Sequence, residues 1–217
     1  MKGVLVILDG IGDGPRQTLG GKTPLEAAKT PHLDALARRG KLDYCWTVKK
    51  GFVAESHQGI MSLLGYDLVD EDRGTLEALG LGVELKPGDL ALRCNFATVE
   101  DLASRKVLDR RAGRTLTTNE ARELSKAINK EVKLGYPFEF VPGVQHRGVL
   151  VIRGGFSGNI SDVDLDHAKK FRWAEAQDDE DNTLLAAELV NRFLRESHKV
   201  LEDHPDVAAS FSQLLFA

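Results

Sequence analysis

The stretch between Lys86 and Gly154 constrains this chain more than any other. After the turn signal Lys86-Pro87-Gly88-Asp89, "LALRCNFATV" (90–99) reads as a strand. A shorter strand falls around "KVLDR", and "FEFV" (138–141) and "RGVLVIRG" (147–154) supply two more. Between the second and third, Thr117 and Glu120 form a capping box, and Leu124, Ala127, Ile128 and Val132 recur at helical spacing with Gly135 as the stop. Strand-strand-helix-strand-strand predicts a compact α+β module over 87–165, inserted into a larger domain made of 1–86 and 166–217.

The larger part has the texture of an α/β protein. Val4 to Leu8 is a continuous apolar run ended by Asp9-Gly10, the pattern of a buried strand with a carboxylate at its C-terminal tip. In open α/β sheets that tip is where ligands bind. Thr23, Pro24 and Glu26 predict a capped helix start, and Thr30-Pro31 a second, with Leu33, Leu36 and Ala37 on one face and Gly40 as its stop. Asp43–Val48 suits a strand. Glu180 to Glu202 is a long amphipathic helix with Leu185, Leu189, Phe193, Val200 and Leu201 on its apolar side.

Several function classes are disfavoured. "GIGDGP" lacks a helix opening directly after it, and "GGKTP" would need a glycine where Arg16 stands, so both nucleotide-loop readings fail on spacing. A net charge of −4 argues against general nucleic-acid binding. Cys45 and Cys94 make neither a disulfide framework nor a metal spacing and read as reduced thiols. No apolar run approaches membrane-spanning length, and the N-terminal one is too short for a signal-peptide core. The expectation is a cytoplasmic protein without nucleic-acid or membrane partners.

Two places invite chemistry. In "VAESHQGIMSLLGYD" (53–67), Ser56 stands before the periodic apolar positions Ile60, Met61, Leu63 and Leu64. It is either a helix cap or a nucleophile; the stretch alone favours the cap. The flanks lack a nucleophile elbow, so a Ser-His-Asp hydrolase is disfavoured. "DRRAGR" sets Arg110, Arg111 and Arg114 within five residues, and "QHRG" adds His146 and Arg147. Guanidinium groups recognise carboxylate and phosphate in bidentate fashion. A salt-bridged turn facing Asp109 and Glu120 is the competing reading, ranked slightly below anion binding.

"VLVILDGIGDGP", "KTPLEAAKTPHLDALARRG", "SLLGYD", "RGTLEALGLGVELKPGDLALRCNFATV", "DRRAGR", "HRGVLVIRGG" and "LEDHP" occur in that order. Together they resemble the archaeal-type cofactor-independent phosphoglycerate mutases of the alkaline-phosphatase superfamily, and specifically the first half of that family. The resemblance implies part of an alkaline-phosphatase-like α/β core. It also implies interconversion of 3-phosphoglycerate and 2-phosphoglycerate through a phosphoserine, in glycolysis and gluconeogenesis. Ser56 falls on the nucleophile and Asp9 on the N-terminal metal ligand, with Ser56 also a ligand. Two divalent ions, manganese or magnesium, would activate the serine. Arg110, Arg111, Arg114, His146 and Arg147 would clamp substrate.

Two departures bear on activity. Where the family reads Gly-Ser-Asp-Thr-Ala-His, this chain has Glu55-Ser56-His57-Gln58-Gly59-Ile60, and the half carrying the remaining metal ligands is absent. The expectations are therefore a mutase active only with a second half, a non-catalytic homologue binding an anionic metabolite or a partner protein, and, third, a metal-dependent phosphatase. The isolated chain is expected to be inactive. The apolar helix face and tail predict a homo-oligomer or association with a second-half chain, with the tail folding back over the helix within one chain as the competing possibility.

Overall fold

The computed structural model describes residues 2–8, 10–66, 73–165, 169–204 and 213–216, the last four by their backbone alone. The chain forms two compact units, Met1–Glu71 and Asp72–Ala217.

In the first unit, helices α1 (Pro24–Ala27), α2 (Pro31–Arg39) and α3 (Ser56–Leu63) follow a 3-10 turn at Gln17–Leu19. The capping box expected of α1 is present: the Glu26 N–H donates to Thr23 Oγ1 at 3.1 Å, and the Thr23 N–H to the Glu26 carboxylate at 2.8 Å. Pro31 opens α2 and Gly40 closes it, but the Thr30 hydroxyl donates to Asp34 and makes no backbone cap. No residue of these helices is buried; Leu33 and Leu36 remain 42% and 60% exposed.

Two expectations fail here. Val4–Leu8 forms no strand, and Val4 is 87% exposed. Asp43–Val48 forms none either, and Tyr44 and Trp46 stay exposed. An extended run becomes a strand only when a neighbour takes its N–H and C=O groups. Among the described residues neither run has a partner strand; in the second, the Thr47 carbonyl accepts from the Ser62 hydroxyl instead.

The second unit is built on an antiparallel sheet. Helix α4 (Arg73–Gly80) leads into β1 (Leu90–Val99), β2 (Val107–Asp109), α5 (Thr118–Glu131), β3 (Phe138–Pro142), β4 (Arg147–Ile152), α6 (Asp181–Glu202) and β5 (Gln213–Phe216). The strand-strand-helix-strand-strand order is as expected, and α5 carries its Thr117–Glu120 capping box. That helix ends at Glu131, earlier than Gly135, which instead takes a left-handed turn conformation. β1 is central: it pairs with β4 over Leu90↔Ile152 to Asn95↔Arg147 and with β2 at Thr98↔Asp109, and β4 pairs with β3. The chain is thus α/β in the broad sense, helices with a small antiparallel sheet.

Strand alternation divides the packing. Leu90, Cys94, Phe96, Leu150 and Ile152 face the larger core with α5 and α6; Ala91, Val149 and Val151 face Ala78 and Val83. Phe96, Phe140 and Phe193 interlock at ring-centroid distances of 5.7 and 5.9 Å. Each fully buried side chain of this size contributes about 1.5–3 kcal/mol. α4 approaches the opposite face so closely that a Cβ on Gly74 would overlap the Ala91 carbonyl. Asn129 seals the outer edge of β3: its Oδ1 accepts from the Phe140 N–H at 2.8 Å, and its Nδ2 donates to the Phe140 carbonyl at 2.7 Å.

The apolar stripe of α6 is buried within the chain, with Leu189, Phe193, Leu194 and Leu201 each at most 1% exposed. The tail folds back as β5, pairing Gln213–Phe216 with Thr98–Asn95 of β1. The competing expectation, a tail folded back within one chain, is the one the described residues show: α6 has an apolar core to cover, and β1 still had an edge to pair.

A cationic site around a buried histidine

β4 begins at Arg147 and β2 ends at Asp109, just before Arg110 and Arg111. β2 stops at Asp109, whose carboxylate accepts the Arg111 N–H at 2.7 Å. The chain then turns through Ala112–Arg114, with Ala112 and Leu116 buried in the main core as anchors. Ala112, Gly113 and Arg114 all have left-handed backbones, φ 46°, 64° and 56°. For the two non-glycine residues that conformation costs on the order of 1–2 kcal/mol each. Strain of this kind persists only where surrounding packing holds it, and it fixes where the Arg111 and Arg114 side chains start.

The five predicted cationic residues separate. Arg110 pairs with Asp164, its Nε donating at 3.0 Å and its Nη2 also in contact, so it ties the loop at Asp164 to this turn. The side chains of Arg111, Arg114 and Arg147 make no ion pair among the described residues. The acids that would have neutralised the turn are occupied. Asp109 is held by a backbone N–H, and Glu120 accepts from both the Thr117 N–H and hydroxyl at 2.7 Å. Those hydrogen bonds hold the Glu120 carboxyl below its usual range.

His146 lies at the centre. It sits one residue before β4, only 7% exposed, and its carbonyl accepts the Phe96 N–H at 2.7 Å. Burial pushes its pKa down, and the positive charges of Arg147, Arg111, Arg93 and Arg114 add to the effect. The imidazole is neutral near pH 7. Its Nδ1 is buried without a hydrogen-bond partner among the described residues.

Arg93 is the member sequence reasoning missed. It shares the α4-facing side of β1 with Asn95, while Asn95 is in register with Arg147. Arg93 Nε lies 2.8 Å from Glu77 Oε1, off the angle of a hydrogen bond, and Arg73 donates to the same oxygen at 3.1 Å. Burial lowers the Arg93 pKa, with Arg73 adding to it. The signal was available: a cation and an amide within the otherwise apolar "LALRCNF" serve no packing purpose.

In the first unit, Ser56 occupies the first helical position of α3, and the cap is Glu55. The Glu55 carboxylate accepts from the Gln58 N–H, and the Gln58 side chain accepts from the Glu55 N–H at 2.8 Å. His57 Nδ1 lies 3.5 Å from Glu55 Oε2. Asp9 lies outside the described residues. Among the described residues no three His, Cys, Asp or Glu side chains come together as a metal-holding group. The described side chains do not fit the paired divalent ions that the resemblance implies. No described helix is long and apolar enough to cross a membrane.

Arg111, Arg114 and Arg147, without ion pairs among the described residues, surround a buried histidine, a donor set whose chemistry suits carboxylate or phosphate. Comparison with known proteins narrows the class. Residues 37–206 match the family model described as 2,3-bisphosphoglycerate-independent phosphoglycerate mutase. The protein of that name from Thermococcus gammatolerans is 46% identical over 94% of this chain and 49% of its own length. Its counterpart from Methanopyrus kandleri is 43% identical over 93% and 49%. Among solved structures, the cofactor-independent phosphoglycerate mutase of Thermoplasma acidophilum superposes with a TM-score of 0.57 at 36% identity, covering 97% of this chain and 57% of that one. A Pyrococcus horikoshii protein gives 0.67 at 28% identity over 96% and 48%. The chain belongs to the 2,3-bisphosphoglycerate-independent phosphoglycerate mutase family. It resembles the N-terminal half and spans about half the length of the curated relatives it matches.

Proposed function

We propose that this chain binds a phosphoglycerate through Arg111, Arg114, His146 and Arg147, as the substrate-clamping half of a phosphoglycerate mutase. The observation that carries the reading is the neutral, buried His146 amid Arg111, Arg114 and Arg147, which no described acid neutralises. Arg110, paired with Asp164, positions the turn and belongs to the same proposed clamp. In the complete reaction, 3-phosphoglycerate and 2-phosphoglycerate would interconvert through a phosphoserine at Ser56. Asp9 and Ser56 would be the share of the manganese or magnesium site that this chain contributes. The same proposal places 1–86 and 166–217 in a partial alkaline-phosphatase-like core with 87–165 inserted, and the site of action in the cytoplasm.

Alone, the chain is expected to show no appreciable mutase activity, because two side chains cannot hold two metals with open positions. A coupled assay with 3-phosphoglycerate and manganese tests this. Sustained turnover that vanishes in Ser56→Ala would refute it. Binding is tested separately by titrating 3-phosphoglycerate and following amide shifts; at millimolar ligand they should concentrate at Arg111, Arg114, His146 and Arg147. Light scattering tests the accompanying proposal of a homo-oligomer or a second-half partner.

One observation favours the second reading, a non-catalytic homologue that retains anion binding. The Glu55 carboxylate takes the N–H group at the start of α3 that a bound phosphate would need, and it brings negative charge there. Replacing Glu55 by glycine, together with His57→Asp, discriminates: gain of Ser56 phosphorylation in the presence of a second-half chain favours the mutase ancestry acting through this serine.

A further inference from the structure

One carboxylate reaches the cationic face of the sheet from the helix side. Glu77 lies on α4 one turn after Gly74, where a Cβ would overlap the Ala91 carbonyl, so the helix has no room to slide over β1. Its Oε1 accepts from Arg73 Nε at 3.1 Å and lies 2.8 Å from Arg93 Nε. Two guanidinium groups thus converge on one oxygen. Arg93 and Arg147 stand on the same face of adjacent strands, since Arg93 pairs with Val149 and Asn95 with Arg147. That diagonal relation is within reach of long side chains. The electrostatics agree: Arg147 acts on Arg93, and Arg93 acts on His146.

Arg73, Arg93 and Arg147 with one glutamate are more than a neutralised ion pair. Arg93 is the member hardest to keep in place. Its side chain is only 24% exposed, its Nε makes no hydrogen bond among the described residues, and both Arg73 and Arg147 repel it. A half-buried cation between like charges swings out to water unless a carboxylate holds it. Glu77 is the carboxylate that offsets the repulsion. Its off-angle approach leaves the Arg93 Nε–H unspent for a second acceptor.

We infer that Glu77 is a positioning residue for the anion site: from α4 it holds the Arg93 guanidinium on the sheet face that carries Arg147, so that Arg93 serves the bound anion as a further cation. This rests on the anion-binding reading above. Glu77 itself touches no ligand; it acts through Arg93.

The test uses the whole chain with 3-phosphoglycerate as the probe. Calorimetry should show roughly tenfold weaker binding for Glu77→Ala and for Arg93→Ala, the scale of one charge-assisted hydrogen bond. Because both act through one guanidinium, the double variant should bind no more weakly than Arg93→Ala alone. The Arg93 Nε–H resonance, identified by its loss in Arg93→Lys, should shift when the wild type is titrated and should broaden in Glu77→Ala. A purely structural role on α4 would leave that resonance unmoved by ligand. Glu77→Gln takes the place of the alanine variant should that one not fold. Binding by Glu77→Ala as tight as wild type or tighter, or losses that multiply in the double variant, would overturn the positioning role and leave the anion site standing. No binding by the wild type at millimolar concentration would overturn the anion reading and this inference with it.

Discussion

The approach of α4 to β1 predicts an unusual sign for a helix substitution. Glycine inside a helix costs about 1 kcal/mol relative to alanine, so Gly74→Ala should stabilise α4 on propensity alone. The packing opposes this. A Cβ at position 74 would overlap the Ala91 carbonyl and stand 2.9 Å from Leu92 Cα, both backbone atoms of the central strand. They cannot swing aside as a side chain would, and overpacking of this kind costs about 1–3 kcal/mol, more where backbone must shift. The clash should win, for a net loss of about 1–2 kcal/mol or more. Gly80, at the other end of the same helix, has open space where its Cβ would lie, so Gly80→Ala should be neutral or slightly stabilising. Urea unfolding followed by Trp173 fluorescence in a Trp46→Phe background reads the second unit. With an m-value of about 2 kcal/mol/M, Gly74→Ala should lower the midpoint by roughly 0.5–1 M. A midpoint for Gly74→Ala equal to or above that of Gly80→Ala would refute the close-approach argument. The same variant should weaken phosphoglycerate binding, because Glu77 on α4 holds Arg93.

Other outcomes follow from single contacts. Asn129→Ala leaves both the N–H and C=O of Phe140 without their side-chain partner, and should cost about 2–3 kcal/mol in chemical denaturation. The depressed pKa of His146 means that the unfolded chain binds more protons between the folded value and about 6.5. Its contribution is complete above about pH 6.5 and is lost as pH falls through the folded value. His146→Gln should therefore flatten the stability–pH curve in that window, and an unchanged slope would exclude a buried neutral imidazole. Burial pushes the Cys94 thiol up to about 12, whereas Cys45 is exposed. A thiol reagent at pH 8 should therefore modify Cys45 and spare Cys94 until the chain unfolds, as mass spectrometry of the labelled peptides would show.

Local rules were most legible where structure is local. The capping boxes at Thr23–Glu26 and Thr117–Glu120 and the Pro31 start need only four neighbouring residues, and each forms as read. The strand order of 90–152 was legible because apolar runs alternate with turn signals, and α6 because its stripe repeats with helical period. Val4–Leu8 shows the limit: apolar continuity says that a segment could be a buried strand, but pairing depends on a neighbour distant in sequence. At the cationic turn, residue type exposed the cluster, but which arginine pairs with an acid was decided by Asp164, 54 residues from Arg110.

The same distinction bears on Ser56. Sequence offered two roles, cap and nucleophile, as though one excluded the other only by probability. The helix start shows a physical competition instead. The Gln58 N–H is already held by Glu55, which is fixed within the same turn and so competes as an intramolecular ligand. A phosphate at Ser56 must therefore displace Glu55 or do without the Gln58 N–H, and in the second case it sits beside a carboxylate of like charge. The arginine end of the sheet faces no such competitor, because its nearby acids are already held by Arg111 and Thr117. On the proposed reading, anion affinity resides with Arg111, Arg114 and His146 whatever becomes of the serine, and the two proposed functions are separable by mutation: Glu55→Gly should leave phosphoglycerate affinity unchanged, whereas Arg111→Ala with Arg114→Ala should weaken it at least tenfold.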